Sequence, residues 1–221
     1  MATESGLRRG PRTAEPRAAM SRRTSLASVR REAADCRACP LWRDATQTVF
    51  GEGSARAALM LVGEQPGDHE DRSGHPFVGP AGTILDEALE QAGIARSAVY
   101  TTNAVKHFKY RARGKRRIHQ RPSAAEQTAC RPWLERELGL VAPRAVVALG
   151  ATAAHALIGR ATAIGQNRGR PLEGALYSPV LVTAHPSSVL RQRDAGLRHE
   201  ALAAIVDDLR VARAIAADAQ Q

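Results

Sequence analysis

Four stretches of this chain bring together residue types that can do chemistry. The first runs from Asn103 to Cys130. It joins an asparagine, two histidines (His107 and His119) and a cysteine, and carries eight Lys/Arg and no Asp or Glu between Lys106 and Arg121. Such a positive field suits an anionic ligand, although most basic loops are only solvated charge runs. The second, Gly63-Glu64-Gln65-Pro66-Gly67-Asp68, is a turn with a permissive backbone and two carboxylates fit for acid–base work. The third, His185-Pro186-Ser187-Ser188, offers an imidazole beside hydroxyls. The fourth, Cys36-Arg37-Ala38-Cys39-Pro40, is a C-x-x-C closed by proline. That turn aims both sulfurs at one point, as zinc or an iron–sulfur cluster requires. Singly these are weak signals, since G-E-x-P-G can be an ordinary turn and H-P-S-S an ordinary strand exit.

Their strength lies in the elements that position them. Ala57 to Val62 is a continuous apolar run and reads as a buried parallel strand. Val99 to Asn103, Ala145 to Leu149 and Pro179 to Thr183 read as three more. Helices are expected over Ser25 to Asp35, Ala81 to Ala92, Ser123 to Leu140 and Ala195 to Ala217, with a short Ala-rich one from Gly150. In the third of these Ser123 caps, Glu126 completes a capping box, and Trp133, Leu134, Leu138 and Val141 face inward. His69 to Pro80 and Arg168 to Leu176 read as loop and polar turn. Strands alternating with helices predict an α/β fold, a three-layer α/β/α sandwich around a four-stranded, mainly parallel sheet. Three of the four strands end in the polar motifs above. In a parallel sheet those ends share one edge, so the loops converge on a site.

The chain has 221 residues, net charge +10 and a pI near 10.6. Residues 1–34 hold eight Arg against Glu4, Glu15 and Glu32, net +5, and the remainder is also +5. The body therefore stays basic without its tail, which makes nucleic acid the leading partner ahead of an anionic membrane or a small acidic ligand. Residues 1–23 read as a disordered basic arm and 24–221 as a single domain; a mitochondrial presequence would look broadly similar to the arm. The longest apolar stretch, Ala145 to Gly159, contains His155 and is too short to span a bilayer. No signal-peptide core stands among the N-terminal arginines, so an intracellular, cytoplasmic, DNA-associated protein with no membrane partner is expected. Three cysteines cannot close a disulfide set, and metal binding suits them better.

The motifs carry a resemblance. Gly63-Glu64-Gln65-Pro66-Gly67-Asp68 followed by Gly74-His75-Pro76-Phe77-Val78-Gly79 resembles the first motif of iron–sulfur uracil-DNA glycosylases, related to family 4, and His185-Pro186-Ser187-Ser188 resembles the second. Lys115-Arg116-Arg117-Ile118-His119 is similar to the inserted loop of the UdgX type, whose members bind covalently to uracil-containing DNA. The likeness runs from about Cys36 to the last helix. It implies a monomeric enzyme acting on uracil, in single-stranded DNA or flipped out of a duplex, because the reacting bond is shielded inside the stack.

By this resemblance Phe77 stacks on the uracil, and Asn103 reads its edge, accepting from N3–H and donating to O4. His185 donates to O2, helped by backbone amides around Gln65; Arg117 and Ser187 join the substrate contacts through their motifs. His119 attacks the sugar C1′, oriented by Glu64, while Asp68 is the acid available to activate water. Cys36, Cys39 and Cys130 supply three metal ligands. Family members use a cysteine directly after N-x-x-K, where this chain has His107, so the implied set is Cys36, Cys39, His107 and Cys130 around a [4Fe–4S] cluster. Spacing alone suits zinc equally well. Two further readings stay open: a turnover glycosylase using water activated by Asp68, and a non-catalytic iron–sulfur DNA-binding module.

Overall fold

A computed structural model describes residues 24–177 and 179–218, so the basic arm expected over 1–23 lies outside the described residues. In chain order the elements are α1 (Leu26–Ala34), β1 (Glu52–Gly53), β2 (Leu59–Gly63), α2 (Asp68–Ser73), α3 (Pro80–Gln91), β3 (Val99–Asn103), β4 (Tyr110–Arg113) and β5 (Arg116–His119). There follow α4 (Ala124–Val141), β6 (Ala145–Leu149), α5 (Ala151–Ile158), α6 (Ile164–Asn167), β7 (Pro171–Leu172), β8 (Val180–Thr183), α7 (Ser187–Leu190) and α8 (Ala195–Asp218).

The centre of the sheet is β3-β2-β6-β8, four strands paired parallel throughout. Every residue of these strands is buried. Alternate side chains leave on opposite faces. Leu59, Leu61, Val147, Leu149 and Leu181 meet α3 and α8 through Leu85, Leu89, Ile205 and Leu209. Met60, Val62, Val146, Ala148 and Val182 meet α4 and α5 through Leu134, Leu138 and Leu157. This gives the three layers, with helices shielding both faces of a sheet that has no polar side.

Three departures from expectation matter. The sheet has six strands and is mixed, because two-residue edge strands add antiparallel pairs: β1 on β3 (Glu52↔Thr101) and β7 on β8 (Pro171↔Leu181). Strands that short carry no periodicity to read, and they blunt both sheet edges. The basic loop is not structureless: β4 and β5 form a hairpin with Tyr110 opposite His119 and Arg113 opposite Arg116. Gly114, at φ 59°, supplies the positive φ that its two-residue turn demands. Lastly, α2 forms where a loop was expected, since its D-H-E-D-R-S sequence has no apolar stripe to signal it. Among the described residues no helix is long and apolar enough to cross a membrane.

Candidate active site

The C-terminal ends of all four parallel strands open onto one cavity of about 600 Å³, an ordinary size for a small-molecule site. β2 delivers Glu64 and Gln65, β3 ends in Asn103, β6 leads to Thr152, and β8 leads to His185 and Ser187. Phe77, Asp68, His119 and Arg121 also line it.

Asn103 and Phe77 face each other across Gly63. A Cβ at position 63 would stand 2.3 Å from Asn103 Oδ1 and 2.7 Å from Phe77 Cζ, so only glycine leaves room for both. Phe77 holds a positive φ of 58°, a strained state for an aromatic residue. Surrounding contacts enforce it: Gly82 packs so closely on the Phe77 carbonyl that a Cβ there would fall 1.9 Å from the oxygen. Glu70, buried, accepts from the backbone N–H of Gly67 (3.0 Å) and Gly79 (2.8 Å), bracing both ends of the segment that carries Phe77. Among the described residues the Asn103 carboxamide takes no protein hydrogen bond, which leaves its donor and acceptor for a ligand. Its backbone is fixed from below. Lys106 Nζ, fully buried, donates to Asn103 O (2.6 Å), Thr102 Oγ1 (2.6 Å) and Glu137 Oε2 (2.5 Å). Glu137 also accepts from Tyr100, Thr102 and the Gly51 N–H, so the buried pair is satisfied by hydrogen bonds.

His185 has a defined tautomer. Its Nδ1 accepts the Ser187 N–H (3.2 Å) and lies 2.8 Å from Ser187 Oγ, which in turn takes a hydrogen bond from Arg191 Nη1 (2.9 Å). With Nδ1 accepting, the proton sits on Nε2, where it can be donated into the cavity. Burial, with Arg191 and His119 nearby, lowers its pKa to about 4, so the ring is neutral at physiological pH. Ser187 therefore serves His185 within the site.

His119, at the end of β5, is half exposed and directs Nε2 toward Glu64 Oε1 at 3.4 Å. Glu64 Oε2 accepts from the Thr152 hydroxyl, and Arg121 Nε donates to Thr152 Oγ1 (3.1 Å). Neither Thr152 nor Arg121 was expected at the site. The exit of β6 reads as apolar (A-L-G-A-T-A-A), and its single hydroxyl was the only signal.

Two expected substrate contacts, Arg117 and Gln65, and the expected acid Asp68 meet protein partners in this structure. Arg117 is spent on the carboxylates of Asp68 and Asp71 (Nη1–Oδ2 2.6 Å) and lies over the rings of Phe108 and Tyr110. It pins the hairpin to α2 and does not line the cavity. The Gln65 side chain also holds the hairpin, donating to Lys109 O and Gln120 O (both 3.1 Å) and accepting from Lys109 N (3.2 Å). Asp68 reaches the cavity, but Arg117 and Arg72 occupy its oxygens. Burial would raise its pKa; the hydrogen bonds from Arg72 and Arg117 outweigh this and hold the carboxyl below the usual range. A carboxylate so held is a poor base. The cationic loop is also less available than its composition implies: Lys106 is buried, Lys109 pairs with Glu126 (2.8 Å), and only Arg111, Arg113, Lys115 and Arg116 are left exposed without such roles.

Cys39 and Cys130 pack with Leu41, Val105 and Trp133, and Trp133 Nε1 lies 3.1 Å from Cys36 Sγ. Cys130 Sγ accepts the Lys106 N–H (3.2 Å). Such N–H···S bonds are what surrounds metal-bound thiolates. Burial pushes the Cys130 thiol up to about 12, partly offset by Lys106, and raises Cys39 as well. A bound cation would be needed to hold them as thiolates. The fourth expected ligand does not join them: His107 directs Nε2 to Thr48 Oγ1 at 2.8 Å. Among the described residues no three His, Cys, Asp or Glu side chains stand close enough to hold a metal, so the expected four-ligand set is not assembled in this structure.

Comparison with known proteins bears on this geometry. Residues 50–210 match the profile of the Uracil DNA glycosylase superfamily. A type-4 uracil-DNA glycosylase of Thermotoga maritima is 39% identical over 164 residues, covering 74% of this chain and 82% of that protein. The type-4 enzyme of Pyrobaculum aerophilum is 38% identical over 165 residues, 72% and 81% respectively. A type-5 uracil-DNA glycosylase of Thermus thermophilus is 32% identical over 155 residues, 56% and 67%.

Proposed function

Because this chain belongs to the Uracil DNA glycosylase superfamily, we propose that it excises uracil from DNA and ends joined to the abasic sugar through His119. The observation that carries the second half is the company of the two candidate nucleophile activators. His119 stands beside Glu64 with its other ring nitrogen unbonded among the described residues, whereas Asp68 is tied by two arginines. Water activation by Asp68 is the weaker route on that ground.

In the proposed reaction the flipped uracil lies on Phe77 with its N3–H and O4 against the Asn103 carboxamide. Cytosine presents the reverse pattern, and leaving both amide groups unpaired discriminates by about 10⁴. As the N1–C1′ bond breaks, its electron pair passes to the uracil, and His185 Nε2–H donates to the anion at O2. One such donor is worth roughly 10²–10³ in rate. The free nitrogen of His119 forms the new bond to C1′. The imidazolium so created keeps its N–H toward Glu64, which stabilises the charge or takes the proton. Imidazole bound in this way is a poor leaving group, so the protein stays attached, as in the UdgX-type members it resembles.

We also propose that the cysteines hold a [4Fe–4S] cluster of structural role, with His107 as fourth ligand once its ring leaves Thr48. The packing of Cys39 with Cys130 and the N–H donors to Cys36 and Cys130 support the thiolate part. Uracil-containing DNA is the proposed partner, met by residues 24–221 acting as one monomeric domain.

Denaturing electrophoresis with an end-labelled uracil oligonucleotide tests this reading. A heat-stable protein–DNA band with one uracil released per adduct is expected. Abasic product with free protein would replace it by the turnover reading, and unchanged oligonucleotide by a non-catalytic DNA-binding module. Asn103→Ala should lose uracil release and adduct together, because it acts before those paths part.

A further inference from the structure

Glu64 has two carboxylate oxygens, and only one of them faces His119. The other is held by a side chain with no role so far, Thr152, which is 2% exposed at the start of α5. The direction of its hydrogen bonds is forced. A guanidinium can only donate, so Thr152 Oγ1 accepts from Arg121 Nε at 3.1 Å, and its single proton is left for Glu64 Oε2. With Oε2 accepting from the hydroxyl, Oε1 is fixed in place opposite His119 Nε2. Arg121 follows His119 by two residues, so the same contact ties the end of β5 to α5.

We infer that Thr152, locked by Arg121, is a positioning residue that sets the Glu64 carboxylate and through it the tautomer of His119. This rests on the reading of His119 as the nucleophile. Nε2 stands 3.4 Å from Oε1, an ion-pair contact and not a formed hydrogen bond; an imidazole that turns to donate to a fixed Oε1 carries its lone pair on the opposite nitrogen, the one the reaction needs, whereas one whose carboxylate is free to rotate samples both tautomers. The chain Arg121–Thr152–Glu64–His119 runs from just after β5 to α5, on to the exit of β2 and back to the end of β5. Serine could replace threonine here, and valine, its near-isostere without the hydroxyl, could not.

The test uses the full chain and two readouts. Imidazole ¹⁵N spectra of DNA-free protein, at a pH where the ring is neutral, report the His119 tautomer. Single-turnover assays report adduct formed per uracil released. Wild type and Thr152→Ser should show one tautomer, and Thr152→Val an average of both. The adduct-to-release ratio should fall about 10–100-fold in Thr152→Val, by analogy with the loss on removing an outer-shell partner of a metal ligand, and recover in Thr152→Ser. Arg121→Met, a change at an exposed residue, should loosen the tautomer in the same direction and keeps the question answerable if Thr152→Val does not fold. A wild-type tautomer pattern in Thr152→Val or Arg121→Met overturns the inference, as does failure of Thr152→Ser to recover it. If wild type forms no adduct, the covalent reading falls by itself, while the spectra still decide whether Thr152 sets the tautomer.

Discussion

Gly63→Ala adds a single methyl at the meeting point of Asn103 and Phe77. The new Cβ would lie 2.3 Å from Asn103 Oδ1 and 2.7 Å from Phe77 Cζ. Gly63 is the last residue of β2, in register with Asn103, and it lacks the positive φ of the turn glycines. The perturbation is therefore steric, with no backbone term. Restoring ordinary contact means moving both side chains by about 1 Å, and misplacement of that size costs on the order of 10²-fold in rate. Overpacking of a filled site should destabilise by about 1–3 kcal/mol. For a domain of this size each kcal/mol lowers Tm by roughly 2–4 °C. Gly139→Ala is the control: it lies in α4 with open space around the added methyl, and should stabilise by about 0.5–1 kcal/mol. The assay is single-turnover uracil release alongside a thermal melt of each variant. Gly63→Ala releasing uracil within about threefold of wild type would refute the claim that Asn103 and Phe77 jointly grip the base.

Three other outcomes follow from the same geometry. Purified protein should be brown with broad absorption near ~400 nm, as for thiolate-bound iron–sulfur centres; a colourless folded protein with one stoichiometric zinc would contradict the cluster. Noncovalent DNA binding, measured in a His119→Ser background, should lose roughly 3–4 from its log–log salt slope when Arg111, Arg113, Lys115 and Arg116 are all neutralised, about 0.9 per phosphate contact; an unchanged slope would place the footprint elsewhere. His185, lowered to about 4 by burial, Arg191 and His119, binds a proton in the unfolded chain before the folded one. Its neutral burial is therefore without penalty above pH ~6.5, and stability is lost as pH falls from there toward 4, by roughly 2–3 kcal/mol at pH 4.5. Denaturant titrations should show the wild type losing that much more than His185→Gln between pH 7 and 4.5, and parallel losses would contradict the assignment.

The central strands were legible because a sheet buried on both faces needs continuous apolar runs. Leu59–Gly63 and Ala145–Leu149 lie where those runs predict, and Ser123 with Glu126 marks the start of α4 through its capping box. The convergence of Glu64, Asn103 and His185 followed from parallel topology. What could not be read was direction. Charge counting cannot distinguish Lys106, sealed beneath Asn103 against Glu137, from Arg111 in solvent, because their difference depends on which face of a loop meets α4. Arg117 and Gln65 sit within motifs that promise substrate contact, yet both act on the hairpin, whose existence depends on one glycine turn. Thr152 has no motif of its own, and its relation to Glu64, 88 residues earlier, exists only after β2 and β6 have paired.

The most direct test of the account is to find the atom that holds the DNA. Wild-type protein should be incubated with a uracil oligonucleotide, digested with nuclease and protease, and the deoxyribose remnant located by mass spectrometry. His119→Ser should be run beside it with uracil release measured in both. The account predicts the remnant on His119, and no adduct but continued uracil release in His119→Ser. A remnant on any other residue, or a full-yield adduct in His119→Ser, would contradict it.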